Sequence, residues 1–177
     1  MPTKQQTIDI LKKSILGNRL WLDTPIYMHS VSVGEILHKH WFSEDVEYAG
    51  YLHDIVEDGG YTLAQLKDLG YSDHTVHLVD LSTHDDSHGD KRKAWLDMID
   101  RMIQEDSKDV WAVKLADITH NLSECHNCSL EQIKAYLFLK APAFIYYGNK
   151  YFAWTPFYNE FLEIYWQQVR THHQYFL

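Results

Sequence analysis

The chain carries only two cysteines, Cys125 and Cys128, in 177 residues. That excludes a disulfide-stapled scaffold, and a chain of this length buries a core without one. No apolar run approaches the roughly 18–20 residues that a membrane span needs, so no membrane is expected among its partners. The opening stretch MPTKQQTIDILKKSIL is too polar for the apolar centre of a secretion signal and reads as an amphipathic helix. A cytoplasmic protein is the expectation. Basic charge is also short: 16 Lys and Arg against 25 Asp and Glu leave a formal net charge of −9. A nucleic-acid polymer calls for a basic footprint and is not an expected partner. A small phosphorylated ligand remains compatible, because a metal and a few local Lys or Arg reverse the field inside one cleft.

Sustained period-two alternation is missing too, and helical spacing recurs in its place. The expectation is an all-α fold, a single helical bundle over 1–177 with its motif-bearing core at 25–122 and helices over 129–177 completing it. Thr3 with Gln6, Thr62 with Gln65 and Ser129 with Gln132 have capping-box spacing. Further helices are expected over Ser30–Trp41, from Ser43 or Glu44 to a stop at Gly59-Gly60, and from Ser72 or Asp73 through Leu81. Two more are expected over Lys91–Glu105 and from Ser107 through Leu122. Ala141-Pro142 should kink or break the helix opened at Ser129, and Thr155-Pro156 should start the last one.

One stretch organises the rest. Tyr48–Asp58 reads YAGYLHDIVED, an apolar helical pattern ending in His53, Asp54, Glu57 and Asp58. Four ionisable groups so close together are costly in a core unless something there rewards them, and a cation does so. His29 follows Pro25 at a helix start, and Asp117 lies in VKLADITHNL with Asn121 one turn on. A helical bundle can aim all of these into one pocket, because bundle interiors build metal sites from facing helices.

The spaced set His29, His53-Asp54 and Asp117 resembles the signature of the HD-domain metal-dependent phosphohydrolases. HDIVED (His53–Asp58), TLAQL (Thr62–Leu66), LVDLSTH (Leu78–His84) and VKLADITHNL (Val113–Leu122) are similar to the hydrolase domain of RelA/SpoT-type guanosine-polyphosphate enzymes and to the small alarmone hydrolases. The resemblance implies one divalent ion held by His29, His53, Asp54 and Asp117. Two imidazoles and two carboxylates suit Mn²⁺, Fe²⁺, Co²⁺ or Zn²⁺ better than Ca²⁺; manganese is the family's usual ion, and Mg²⁺ is a further candidate. It further implies that Glu57 and Asp58 handle the attacking water and the leaving group's proton, and that Asn121 contacts the nucleotide. Where the family commonly has a base-stacking arginine this chain has Leu20, with Arg19 one step away, so Arg19 is the substrate-binding candidate at that end.

Lys114, three residues before Asp117, is expected to pair with a carboxylate or reach substrate. Lys91–Lys93 reads as a solvated face or a phosphate contact, Cys125 and Cys128 as reduced thiols in preference to a zinc site, and His84 and His88 as surface residues or spare ligands for a second metal. Tyr146, Tyr147, Tyr151, Trp154, Tyr158 and Trp166 build core or a contact with a second copy of the chain, with stacking on a base as the alternative. The expected function is hydrolysis of a phosphorylated nucleotide, ppGpp foremost, to pyrophosphate and the 5′-nucleotide. A nucleotidase or phosphodiesterase acting on another nucleotide, and a silent nucleotide-binding HD module, are the alternatives.

Overall fold

The computed structural model describes residues 1–19, 23–84 and 89–175; Leu20, Asp85, Asp86 and His88 fall outside the described residues. The order is α1 (Lys4–Ser14), α2 (Tyr27–Lys39), α3 (Glu44–Leu52), α4 (Leu63–Asp68) and α5 (Asp73–Ser82), then α6 (Lys91–Glu105), α7 (Lys108–Ser123), α8 (Leu130–Lys134), α9 (Ala141–Phe152) and α10 (Pro156–His172). No strand occurs among the described residues, only an isolated bridge between Asn18 and Pro25. The fold is all-α, as the missing alternation implies.

Local chemistry sets most helix starts. At Thr3, Thr62 and Ser129 the hydroxyl accepts from the third helical N–H while that residue's glutamine reaches back, closing both halves of the capping box. Ser72, Asp90, Ser107 and Thr155 cap α5, α6, α7 and α10 with one side-chain bond each. The middle of the bundle is α7. It packs against α2, α3, α5, α9 and α10 and is buried on most of its circumference, from Val110, Trp111 and Val113 to Ile118 and Leu122. A helix so largely apolar belongs in the interior, with one face left to Lys114, Asp117 and Asn121.

Two glycines let α2 and α3 cross closely. A Cβ on Gly34 would lie 2.2 Å from the Tyr51 ring, and one on Gly50 would lie 2.4 Å from Leu37 and 3.3 Å from the Gly34 backbone. The Tyr51 ring cannot withdraw, because it is fully buried and its hydroxyl donates to Glu35 at 2.7 Å and to Glu47 at 3.3 Å. This crossing brings the start of α2 beside the end of α3.

Three helix boundaries differ from expectation. α2 begins at Tyr27 rather than Ser30, so His29 sits inside its first turn. α3 ends at Leu52 instead of running to Gly59-Gly60. His53 Nδ1 donates to the Gly50 carbonyl at 2.8 Å, competing for the acceptor the next helical turn would use, and the Ile55 amide steps back to Leu52. His53–Asp58 is therefore a run of turns, and helical stacking of His53 on Glu57 does not describe it. The helix from Ser129 neither breaks nor stops at Ala141-Pro142. It widens into a π-helical turn over Ala135–Lys140, with the Ala141 amide bonding Tyr136, which accommodates the proline before α9 continues.

The carboxy-terminal aromatics divide between core and surface. Tyr147 stacks on Trp111 with centroids 4.0 Å apart and Tyr158 is buried, whereas Tyr146, Trp154 and Trp166 face outward. Lys91–Lys93 is exposed.

Gly34→Ala tests the crossing. Forcing a methyl against a pinned ring should cost about 1–3 kcal/mol, read as a lower urea midpoint with unchanged slope. Parent-like stability would show that α2 and α3 can separate without cost.

Candidate active site

The close α2–α3 crossing places two imidazoles together. His29 and His53 have ring centroids 5.1 Å apart. His29 Nε2 lies 3.1 Å from Asp117 Oδ1 and 3.6 Å from Asp54 Oδ2. His53 Nε2 lies 3.1 Å from Asp54 Oδ1 and 3.7 Å from Asp117 Oδ1. One ligand atom from each of His29, His53 and Asp54 falls within 4.8 Å of the others, a group able to hold a metal ion.

The donor set fits a cation in detail. His53 is fully buried, and because a carbonyl only accepts, its Nδ1 carries the proton. Nε2 is left with no hydrogen-bond partner, facing the carboxylates. On the other imidazole, His29 Nδ1 lies 2.9 Å from His120 Nδ1. Burial and the neighbouring His29 and Arg19 push the His120 pKa down to about 3, so His120 stays neutral and can accept there, leaving His29 Nε2 as a lone pair. Such outer hydrogen bonds orient metal-binding histidines.

Electrostatics point the same way. Burial opposes a charge on His53, but Asp54 and Asp117 outweigh it and raise its pKa to about 9. Burial likewise opposes ionising Asp54 and Asp117. His53 and His29 hold the first below the usual carboxylate range, and Lys114 with the two histidines holds the second well below it. The cluster draws positive charge onto itself, as protons when no metal is present. Asp58 behaves oppositely: burial, then Asp54 and Glu57, push its pKa up.

The cluster opens on a cleft of about 320 Å³. Asp58, Lys114, Asn121 and Arg19 line it. Lys114 Nζ lies 2.6 Å from Asp117 Oδ2, and Asn121 donates to Asp117 Oδ1 at 2.6 Å while accepting from Arg19 at 2.7 Å. Arg19 also pairs with Glu124 at 2.9 Å. Glu57 is turned away towards His84, whose backbone amide and Nδ1 both lie 2.8 Å from its carboxylate.

The wall also carries His84, for which the surface reading was preferred, and Trp95, Gln132, Tyr136, Lys140 and Phe144, which sequence reasoning did not assign to the site. His120 was legible in principle, lying three residues from Asp117 on the same helix face. The named carboxy-terminal aromatics do not line the cleft, although Cys128 does, and both cysteines are free. His38, His40, His74 and His77 pair with the carboxylates of Glu47, Glu160, Asp109 and Glu105 respectively.

The all-helical bundle around this histidine–aspartate pocket has an HD-type fold. The chain is similar to the solved structure of a metazoan orthologue of SpoT that hydrolyses ppGpp and plays a role in starvation responses, with a TM-score of 0.77 and 22% identity over 95% of this chain and 97% of that one. No family model matches the chain, and no curated protein matches it. Among the described residues no helix is long and apolar enough to cross a membrane.

The raised His53 pKa has a consequence for stability. A group whose pKa rises on folding stabilises fully below its unfolded value, here near 6.5, and loses that contribution as pH climbs through about 9. Chelator-treated protein should therefore melt at progressively lower temperature across that interval. Added Mn²⁺ should restore most at the alkaline end, because binding competes with protons for the imidazoles. A metal-free melting temperature that is flat or rising there would count against the cluster's need for positive charge.

Proposed function

We propose that the protein is a metal-dependent phosphohydrolase acting on a phosphorylated nucleotide, with ppGpp as leading substrate and pyrophosphate and the 5′-nucleotide as products. The observation that carries this is the buried His53 Nε2, which makes no hydrogen bond and faces His29 Nε2 and the Asp54 and Asp117 carboxylates. The likeness in fold to a ppGpp hydrolase over 95% of the chain supports the substrate class.

His29, His53, Asp54 and Asp117 would hold the ion. A divalent metal there supplies polarisation of a phosphoryl oxygen and a more acidic water. The chain's own residues do the rest. Water attacks the phosphorus of the 3′ phosphate, the P–O3′ bond breaks, and its electron pair leaves on the sugar oxygen. Asp58 lines the cleft with a raised pKa and hands its proton to that oxygen. The Glu57–His84 pair takes the proton from the attacking water, with the His84 ring on the wall and Glu57 behind it. Lys114 keeps Asp117 ionised, and Asn121 orients Asp117 while holding Arg19 at the nucleoside end. Because Arg19 is engaged by Glu124 and Asn121, a base other than guanine is the second reading.

Pyrophosphate and phosphate release from ppGpp, nucleoside monophosphates and cyclic nucleotides with Mn²⁺ decides between them. Pyrophosphate from ppGpp is expected; turnover confined to another nucleotide favours the second reading, and no turnover by fully metallated protein sinks both.

Two substitutions separate metal from proton transfer. Asp54→Ala should lose bound manganese and activity together, and unchanged metal content would remove Asp54 from the ligand set. Asp58→Asn should keep metal and fold while lowering kcat by about 10²–10⁴; a parent-like rate would end its role as proton donor.

A further inference from the structure

The cleft wall carries three Lys or Arg side chains among the described residues: Arg19, Lys114 and Lys140. Two are already engaged by the protein. Arg19 is bound by Glu124 at 2.9 Å and Asn121 at 2.7 Å, and Lys114 by Asp117 at 2.6 Å. Lys140 is different. Among the described residues it has no carboxylate within salt-bridge distance, and its ammonium lies 5.3 Å from the centroid of the Tyr136 ring. A ring face attracts an ammonium but uses few of its three N–H donors.

Lys140 is also half-buried, and burial lowers its pKa, the cost of an ammonium withdrawn from water without an anion. Lys140 lines the same cleft as Asp54, Asp58, Lys114 and Asp117, the groups around the histidine–aspartate cluster. The π-helical turn Ala135–Lys140 places it there, and such wide turns recur at functional sites.

An anion that the chain does not supply arrives with the ligand. We propose that Lys140 binds the outer phosphate of a diphosphate whose inner phosphate lies at the His29–His53–Asp54 cluster. This rests on reading the cleft as a phosphohydrolase site, and it makes Lys140 the residue that selects a diphosphate over a monophosphate. Lys140→Met removes the charge and keeps the stem that covers Tyr136, while Lys140→Arg keeps a cation.

The test is calorimetric titration of pyrophosphate, orthophosphate and guanosine into manganese-loaded protein freed of excess metal. Lys140→Met should weaken pyrophosphate about tenfold or more, the loss of charge-assisted hydrogen bonds, and leave guanosine unchanged. Orthophosphate should weaken less, and Lys140→Arg should stay within about threefold of the parent for pyrophosphate. If Lys140→Met has lost manganese or melts early, Lys140→Gln takes its place. A pyrophosphate affinity unmoved by loss of the charge, an equal loss for all three ligands, or no pyrophosphate binding by the parent overturns the assignment. Cleavage of ppGpp, followed in parallel, separates the two readings. Charge-dependent pyrophosphate binding without turnover removes the hydrolase and keeps the phosphate site; turnover with charge-independent binding does the reverse.

Discussion

A single backbone carbonyl governs the geometry of the site. Gly50 C=O accepts from the His53 ring at 2.8 Å, and that one bond has three effects. It ends α3 at Leu52, fixes which His53 nitrogen bears the proton, and turns the other nitrogen, unpartnered, into the bundle. Gly50 also lies at the α2–α3 crossing, where a side chain would strike Leu37. Helix crossing, helix termination and ligand orientation are one arrangement here. A regular α3 running on to Gly59 would swing His53 and Asp54 along a helical spiral instead of holding them towards His29.

Burial makes the cluster unstable on its own terms, and this decides its chemistry. Charged groups withdrawn from water must be paired or must change protonation. Lys114 satisfies one oxygen of Asp117, yet Asp54 and Asp117 still draw protons onto His53. His120 is held neutral beside His29, so a proton on His29 finds an acceptor there and not a competing cation. The pocket thus favours positive charge at its centre, while the imidazole behind His29 stays neutral.

How much of this is legible in the chain depends on how local each cause is. The capping boxes at Thr3, Thr62 and Ser129 read directly, because the hydroxyl and the glutamine act within one turn. The end of α3 does not read, because apolar spacing continues through Ile55 and Val56 while a side chain competes for a carbonyl. The π-helical turn is equally silent: a proline in an apolar helix announces trouble but not whether the backbone breaks or widens. Residues brought to the cleft by packing alone, such as Lys140 and Trp95, carry no signal in their neighbours. His84 is intermediate, since its place in an acidic connection hides its bond to Glu57. The fold class was readable from the missing alternation and the recurring caps, and residues 29, 53, 54 and 117 from their likeness as a spaced set to the HD-domain signature.

The polar residues of α7 show why that helix is the one that builds the cleft. Its burial is nearly complete, so in a purely structural helix every polar side chain would be a liability. Lys114, Asp117, Asn121 and the C-cap residue Glu124 nevertheless recur at three- and four-residue steps, a single stripe along one face. All four line the cleft, and they bond to one another or to Arg19. Packing explains the apolar circumference and cannot explain the stripe, because a bundle core is better filled by aliphatic side chains at those positions. The stripe is the cost of presenting a fixed, hydrogen-bonded edge to a ligand, with the carboxylate that faces the imidazoles in its middle and the arginine anchor at its far end.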